Sequence, residues 1–308
     1  MIHQLRLFFS SDKTKAAFET DSVFRNQVKN VLQDHFIARK VLNILTGFWL
    51  MWILEEYRIV MLRPASIYIA DNYFVRLFMP TLPCALQVYS VIAIGFCTVA
   101  YNFYFSPLRI SKVILTATVM WLNILPWGYG FFSHVGHVFV LSHLLGIFLP
   151  DVNVSKENAA HSYLSMQWYY LGIVANYSMS GIWKLGGLIY KLFANDGTIH
   201  WLHPKAALYN SIVGFHKYDI PLTSQFDIFH FSWPWQVGFL IILLLQTFAV
   251  FIVLFPKRYF LFCIAIVTMH FVNITAFAIM FIWQPLVIFI LFFPYHKIFN
   301  PTLSIENK

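Results

Sequence analysis

The chain has 308 residues, of which 59% are apolar, 19% aromatic and only 11% charged, and this composition excludes the polar surface of a water-soluble protein. The formal net charge of +8 does not predict a nucleic-acid partner, because most lysines and arginines lie at the ends of apolar segments. Basic side chains in that position fix the orientation of a protein in a lipid bilayer. Three cysteines without CxxC spacing predict neither a disulfide framework nor redox chemistry.

Residues 1–40 are polar and charged, and they are predicted to form a cytoplasmic leader. Apolar side chains such as Phe18 and Val28 interleave with Lys13 and Lys29 at roughly helical spacing. The pattern fits an amphipathic helix that lies on the membrane surface, and it fits an ordinary solvated leader equally well. The first transmembrane segment is expected to direct its own insertion, because no cleavable signal peptide is recognisable.

Apolar runs of about 20 residues, the length that crosses a bilayer, recur along the rest of the chain. They predict transmembrane helices at 41–60, 84–105, 113–131, 135–150, 166–190 and 234–255, and two more within 259–293, where Pro285 interrupts the run. The predicted fold is an all-α polytopic bundle of about eight spans, with a transmembrane domain at 41–294 and a cytoplasmic tail at 295–308. The distribution of basic residues predicts that both termini are cytoplasmic.

Lys184 is an ionisable side chain within a predicted span, where such a group costs a few kcal/mol unless it faces a cavity, a partner or a substrate. Helical spacing puts Tyr177 and Ser180 on its face, together with a glycine. Small residues there allow a second helix or a flat ligand to approach closely. An amine kept out of water can lose its proton and act as a general base. Alternatively, Lys184 extends to the membrane interface, near Lys191.

Three histidines lie in or beside the fourth predicted span. His134 and His137 are three residues apart and share a helical face, whereas His143 lies roughly on another. Two histidines at this spacing can join a metal site, but no Asp, Glu or Cys is close in sequence, and no metal site is predicted. Hydrogen bonding to a ligand, a proton relay and hydrogen bonding between helices remain as interpretations.

Two further polar patterns occur in apolar surroundings. His270 and Asn273 form one helical stripe in the last apolar run, which fits a ligand contact or a polar pair between helices. At the end of the first span, Glu55 and Arg58 are predicted to form an ion pair.

The order of these motifs resembles the membrane domain of the vitamin K-dependent γ-carboxylase-like (HTTM) family, from roughly residue 38 to residue 294. The segment Tyr177–Leu185 looks like the family's Y-x-x-x-G-x-x-K-L helix. The segment His270–Ile279 is similar to its H-x-x-N-x-x-x-F-x-I-G-M-F motif, although Met280 stands where the family has glycine. The segment Leu108–Ser111, followed by the histidines of the fourth span, looks like the family's R-I-S helix and active-site histidine helix.

The resemblance implies that Lys184 is the catalytic base and that His134 or His137 assists it. It implies a cofactor site formed by Tyr177, Ser180, Trp183, His143, His270 and Asn273. In the family, the lysine deprotonates a reduced quinone, vitamin K hydroquinone, after which O2 yields a strong base, a γ-proton leaves glutamate and CO2 is added. Trp183 replaces a second lysine of the animal enzymes, and the large luminal substrate-recognition domain of those enzymes is not found in these 308 residues.

The predicted function is that of a carboxylase-like membrane enzyme, a lyase, which uses Lys184 on a quinone-type cofactor to modify a peptide or small molecule at the extracytoplasmic face. The alternative is a non-enzymatic maturation, export or immunity factor for a secreted antimicrobial peptide. A transporter is disfavoured, because no inverted repeats are visible. The expected partners are the lipid bilayer and a secreted peptide, without nucleic acid, and the expected location is the bacterial inner (plasma) membrane.

Overall fold

The computed structural model describes residues 7–105, 107–130, 136–150, 158–194, 199–217, 229–279 and 281–299. Within these ranges the chain is helical and contains no strand, as the sequence predicts. Four of the described helices are long and apolar enough to cross a membrane: Ser22–Val60, Ala85–Tyr104, Arg109–Tyr129 and Pro256–Phe277. They are consistent with an integral membrane protein, because a helix satisfies its own backbone hydrogen bonds in lipid.

The helices belong to two compact units. The described α-helices are α1 (Ser11–Thr20), α2 (Ser22–Val60), α3 (Tyr73–Phe78), α4 (Ala85–Tyr104), α5 (Arg109–Ile124), α6 (His137–Gly146), α7 (Ala159–Ala194), α8 (Ala206–Lys217), α9 (Ser232–Thr247), α10 (Tyr259–Phe277) and α11 (Trp283–Phe292). The central unit consists of Tyr170–Phe289. The flanking unit consists of the described residues that precede Tyr170 or follow Phe289.

The flanking unit contains a row of helices, α2, α4, α5 and α6, in which each packs against the next. Asp21 caps the start of α2, because its carboxylate accepts hydrogen bonds from two backbone N–H groups of the first turn at 2.8 and 3.1 Å. In α4, a Cβ at Gly95 would lie 2.9 Å from a methyl carbon of Leu50 and 3.0 Å from one of Thr118. The glycine therefore allows α2 and α5 to approach α4 closely.

The described part of the predicted leader, residues 7–40, is largely helical, and most of its large apolar side chains are buried or half-buried in the flanking unit. Two of them, Phe9 and Val23, are exposed. Phe18 and Val28 are 4% and 0% exposed. The ring of Phe8 lies 4.6 Å from that of Trp168, in the first turns of α7. The apolar face is thus covered by protein rather than left for the membrane surface. Because α2 continues from the leader through the first predicted span, the boundary at residue 40 is not a break in the helix.

The run predicted at 259–293 contains two helices, as expected, but the interruption is not at Pro285. α10 ends at Phe277, and Ala278 adopts the left-handed conformation with φ of 49°. Pro285 lies in the first turn of α11, where its missing N–H removes no intrahelical hydrogen bond. The end of α10 therefore makes the break, several residues before the proline.

Other predicted spans coincide with helices whose bounds differ from the prediction. α7 has 36 residues and extends past both ends of the span predicted at 166–190. α6 has only 10 residues, inside the span predicted at 135–150. The span predicted at 234–255 consists of α9 and a 3₁₀ helix, Ala249–Leu254. Apolar composition located these segments, whereas caps and packing decide where each helix begins and ends.

Two contacts in the flanking unit involve carboxylates. The predicted pair between Glu55 and Arg58 is present at 2.7 Å. The carboxylate of Asp34 accepts the backbone N–H of His296 at 2.6 Å and lies 2.7 Å from Nδ1 of the same residue. The second contact ties the 3₁₀ turn Tyr295–Lys297, in the predicted tail, to α2.

The central unit combines the second part of α7 with α8, α9, α10 and α11. Its buried core contains alanines of α8 and two phenylalanines, Phe239 and Phe277. Gly214 in α8 lies against the end of α10, because a Cβ there would overlap the carbonyl oxygen of Phe277. The hydroxyl of Ser178 accepts the backbone N–H of Val250 at 2.9 Å and so ties α7 to the turn after α9. These contacts surround the part of α7 that carries Lys184.

Candidate functional site

Lys184 lies on the face of α7 that packs within the central unit. Gly181, one turn earlier, is buried, and Tyr177, two turns earlier, is 3% exposed. A Cβ at Gly181 would overlap the backbone nitrogen of Thr247 at the end of α9. The glycine therefore lets α9 approach α7 and brings the neighbouring side chain, Gln246, within reach of Lys184.

Four side chains form a hydrogen-bonded chain that begins at Lys184. Its Nζ donates to Oε1 of Gln246 at 2.8 Å. Nε2 of Gln246 donates to the Tyr177 hydroxyl at 3.4 Å, and this hydroxyl lies 3.3 Å from Nε2 of His270. The Tyr177 hydroxyl can donate to Nε2 of His270, which would place the ring proton on Nδ1, or to Sδ of Met269 at 3.4 Å. The structure thus joins Tyr177 and His270, both predicted cofactor residues, to the predicted base.

Among the described residues, the Lys184 amine has no negatively charged side chain as a partner in this cluster. Gln246 and His270 are 5% and 3% exposed. Within the described residues, no carboxylate lies within 4.0 Å of the Lys184 amine. Nδ1 of His270 is buried and has no hydrogen-bond partner in the part of the chain that the structure describes. An amine next to an amide can donate a hydrogen bond either as an ammonium or as a neutral amine, which is what proton transfer requires.

A groove of about 470 Å³ opens beside Lys184 within the central unit. Aromatic and apolar side chains form much of its lining, among them Trp183, Trp201 and Tyr209. Nζ of Lys184 lies 5.0 Å from the centroid of the Trp201 ring, within the range of a cation–π interaction. The groove has the size and the mixed lining of a small-molecule site, with one amine at its wall.

Trp201 is held in place on both sides along the chain. The ammonium of Lys191 donates to the carbonyl oxygen of Ile199 at 2.9 Å. The amide of Gln236 donates to the carbonyl oxygen of Leu202 at 2.7 Å. The ring that faces Lys184 is therefore fixed by contacts with both α7 and α9.

Three predicted cofactor residues of the central unit lie outside the hydrogen-bonded chain. Ser180 is exposed, whereas Ser178, two residues earlier, is buried. Trp183 is 84% exposed and lies at the edge of the groove. Asn273 is half-buried, and its carbonyl oxygen accepts the N–H of Ile279 at the end of α10. Of these three residues, only Trp183 lines the groove.

The remaining histidines of the prediction belong to the flanking unit or are not described. His134 lies outside the described residues. His137 is the first residue of α6, and its ring is 6.3 Å from that of Trp127. His143 lies 3.0 Å, through Nε2, from the hydroxyl of Thr46 and packs edge-on against Phe139. The role of His134 or His137 as helper to the base stays a prediction.

Two residues of the site were not predicted from the sequence: Gln246 and Trp201. Gln246 interrupts the apolar run of α9, and a polar side chain inside a predicted span is a signal that was available. Trp201 is a tryptophan in a connecting segment, and nothing in the sequence places residue 201 beside residue 184.

Neither a metal site among the described residues nor a similarity to known proteins indicates the chemistry of this site. Within the described ranges, no group of three or more His, Cys, Asp or Glu side chains could hold a metal ion. No family model, curated protein or solved structure significantly matches this chain. The geometry of the site and the sequence motifs therefore carry the proposal for its chemistry.

Proposed function

We propose that the chain is a multi-span membrane enzyme in which Lys184 acts as general base on a reduced quinone-type cofactor, and that it modifies a peptide or small molecule at the extracytoplasmic side. The observation that carries this proposal is the Lys184 amine, which borders a groove of about 470 Å³ and bonds a neutral amide. The resemblance of the Tyr177–Leu185 and His270–Ile279 segments to the carboxylase-like family supports the choice of cofactor.

The partners of Lys184 fit the acceptance of a proton at Nζ. Before transfer, the neutral amine donates one hydrogen bond to Gln246 and keeps its lone pair for the substrate. After transfer, the ammonium keeps that hydrogen bond and gains attraction from the ring of Trp201, 5.0 Å away. The site therefore stabilises the product of deprotonation without a carboxylate that would hold the proton permanently.

The groove fits a flat, lipophilic ring that carries hydroxyl groups. Trp183, Trp201 and Tyr209 supply aromatic surface, and Lys184 supplies the single basic group required near a phenolic hydroxyl. Apolar lining reduces the competition of water for that hydroxyl. A reduced quinone bound there would be oxidised by O2 to the quinone epoxide, which keeps one oxygen atom while the second leaves as water. This oxidation would provide a base strong enough to remove a carbon-bound proton, and CO2 could then add to that carbon.

The proposal includes eight spans, cytoplasmic termini and insertion in a bacterial inner membrane. Four described helices are long and apolar enough to cross a membrane, and shorter helices such as α6 and α11, of ten residues each, lie within other predicted segments. The basic residues favour a cytoplasmic N-terminus. In this topology the second half of α7 runs outward, so the groove opens towards the extracytoplasmic side. Enzyme reporters fused at residue 70 and at the C-terminus test this directly: activity of an extracytoplasmic reporter is expected only at residue 70.

The decisive test measures quinone chemistry in the purified protein. The full chain is placed in lipid nanodiscs, its lipid extract is analysed by mass spectrometry for a copurified quinone, and vitamin K hydroquinone is then added under O2 and CO2. We expect a bound quinone and formation of the quinone epoxide by the wild type. Lys184→Ala is expected to lose the epoxide, whereas Lys29→Ala, an exposed lysine of the leader, retains it.

A negative result has a defined meaning. If wild-type protein neither binds a quinone nor forms the epoxide, the enzyme proposal is wrong. The non-enzymatic role in maturation, export or immunity for a secreted peptide then becomes the better explanation. Loss of peptide secretion or of producer immunity in a deletion strain, with full complementation by Lys184→Ala, would support that alternative.

A further inference from the structure

We infer that Gln246 is a positioning residue that presents a neutral acceptor to Lys184 and thereby keeps the amine able to exchange its proton. The inference rests on the proposed function for the reaction that uses the base. The hydrogen bond itself and its effect on the amine can be measured without a cofactor.

Gln246 is held firmly where it meets Lys184. It is 5% exposed, and its Oε1 accepts the hydrogen bond from Nζ at 2.8 Å. Its backbone lies against Gly181, where an added Cβ would be 2.7 Å from the Gln246 carbonyl carbon. This contact fixes the backbone at Gln246, and burial limits the space in which its side chain can move.

The orientation of the Gln246 amide is fixed by the rest of the hydrogen-bonded chain. Its Nε2 donates to the Tyr177 hydroxyl at 3.4 Å, and that hydroxyl lies 3.3 Å from Nε2 of His270. A flipped amide would point its NH₂ group at Lys184, which the ammonium form cannot accept because it has no lone pair. Tyr177 and His270 thus keep the carbonyl oxygen directed at the amine.

The choice of an amide over a carboxylate matters at this position. Glutamate has the same shape as glutamine, but its negative charge at 2.8 Å would bind the ammonium form strongly. An apolar residue of similar size would remove the acceptor and favour the neutral amine. Glutamine lies between these two cases, because it accepts a hydrogen bond from either protonation state.

The test measures the reactivity of Lys184 against pH in the full chain. Wild type, Gln246→Glu and Gln246→Met in lipid nanodiscs are acylated briefly with an amine-reactive ester at a series of pH values. Mass spectrometry then compares the peptide that contains Lys184 with the peptide that contains exposed Lys29 in the same sample. Gln33→Glu, which adds the same charge in the leader, is the matched control.

We expect Gln246→Glu to raise the pH of half-maximal labelling by about 1 to 3 pH units, the usual effect of an opposite charge at this distance. Gln246→Met is expected to lower that pH, and Gln33→Glu is expected to leave it unchanged. Opposite shifts cannot come from a loss of folding, which is checked separately by thermal unfolding. Wild-type labelling curves in both folded Gln246 variants would overturn the inference.

The same data separate this inference from the proposed reaction. If labelling shifts as expected but the wild type forms no quinone epoxide, Gln246 controls the amine and the proposed reaction is wrong. If the epoxide forms and labelling does not shift, Lys184 acts as a base without help from Gln246.

Discussion

Each unit contains a lysine that donates to a buried acceptor, and the two amines make very different contacts: Lys112 is buried, whereas Lys184 is half-buried. In the flanking unit, Lys112 is 8% exposed and donates to the carbonyl oxygen of Leu149 at 2.8 Å, just beyond the end of α6. In the central unit, Lys184 donates at the same distance to a side-chain amide and lies beside Trp201 at the groove. The hydrogen-bond length does not distinguish them, whereas the identity and surroundings of the acceptor do.

The different acceptors indicate which of the two lysines can take part in a reaction. A backbone carbonyl near a helix C-terminus belongs to the fold and favours a cation, so Lys112 is suited to closing α6. The acceptor of Lys184 is instead a side-chain amide, and its amine borders a groove of about 470 Å³. Lys112 borders a smaller cavity of about 200 Å³, together with His143. The comparison assigns a structural role to Lys112 and the reactive role to Lys184, and mutation of each lysine tests its assignment.

The largest expected effect comes from removing each amine in turn. Lys184→Ala should lower quinone epoxidation per folded molecule by about 100-fold or more, the usual contribution of a general base. Some stability should also be lost, because the buried Gln246 loses a donor. Lys112→Ala should lose about 1–3 kcal/mol of unfolding free energy, because the Leu149 carbonyl loses a buried donor. Epoxide rates per folded molecule and thermal unfolding measure both. If the Lys112→Ala protein folded but had no epoxidation activity, Lys112 would not be purely structural and the two lysines could not be distinguished in this way.

Helix packing around Lys184 gives the next largest effect. Gly181→Val should destabilise the protein by about 1–3 kcal/mol, because its Cβ overlaps the backbone of α9. Gly186→Val on the same helix is the control, since no atom lies within 4 Å of a Cβ there. Thermal unfolding compares the two, and labelling of Lys184 reports whether Gln246 has moved. Equal stability of both variants would show that α7 and α9 do not meet at Gly181.

Features that involve residues close together in the sequence could be predicted, whereas contacts between distant residues could not. Three local features were predicted correctly: the helical spacing of Tyr177 and Lys184, the Glu55–Arg58 pair, and the presence of two helices in the last apolar run. The contact between Lys184 and Gln246 joins residues 62 positions apart. Helices that are apolar on all faces do not indicate which face meets another helix and which meets lipid.

The break after α10 was misplaced for a related reason. Proline is the strongest local signal for interrupting a helix, and Pro285 was therefore chosen. The observed end at Phe277 depends on tertiary contact, because the carbonyl of Phe277 lies against Gly214 of α8. A single-sequence pattern contains no information on that approach.

Filling the groove should affect binding by about tenfold, equivalent to about 1.4 kcal/mol. Gly187 lines the groove, whereas its neighbour Gly186 does not, and a Cβ at either position meets no atom within 4 Å. Gly187→Phe should therefore weaken quinone binding while Gly186→Phe does not. Titration of quinone fluorescence quenching measures both affinities in identical nanodiscs. Equal affinities would place the ligand outside this groove and weaken the contrast between the two lysines.

The smallest expected effects come from single hydroxyl groups, one in each unit. Tyr177→Phe removes the hydroxyl that orients Gln246, and Thr46→Val removes the hydroxyl that meets His143 at 3.0 Å. Both changes keep the side-chain shape and should cost about 1 kcal/mol of stability in thermal unfolding. Only Tyr177→Phe should also alter the pH dependence of Lys184 labelling, because only this hydroxyl holds the amide carbonyl towards the amine. If Thr46→Val changed the labelling equally, the flanking unit would influence the base, and the chemistry could not be assigned to the central unit alone.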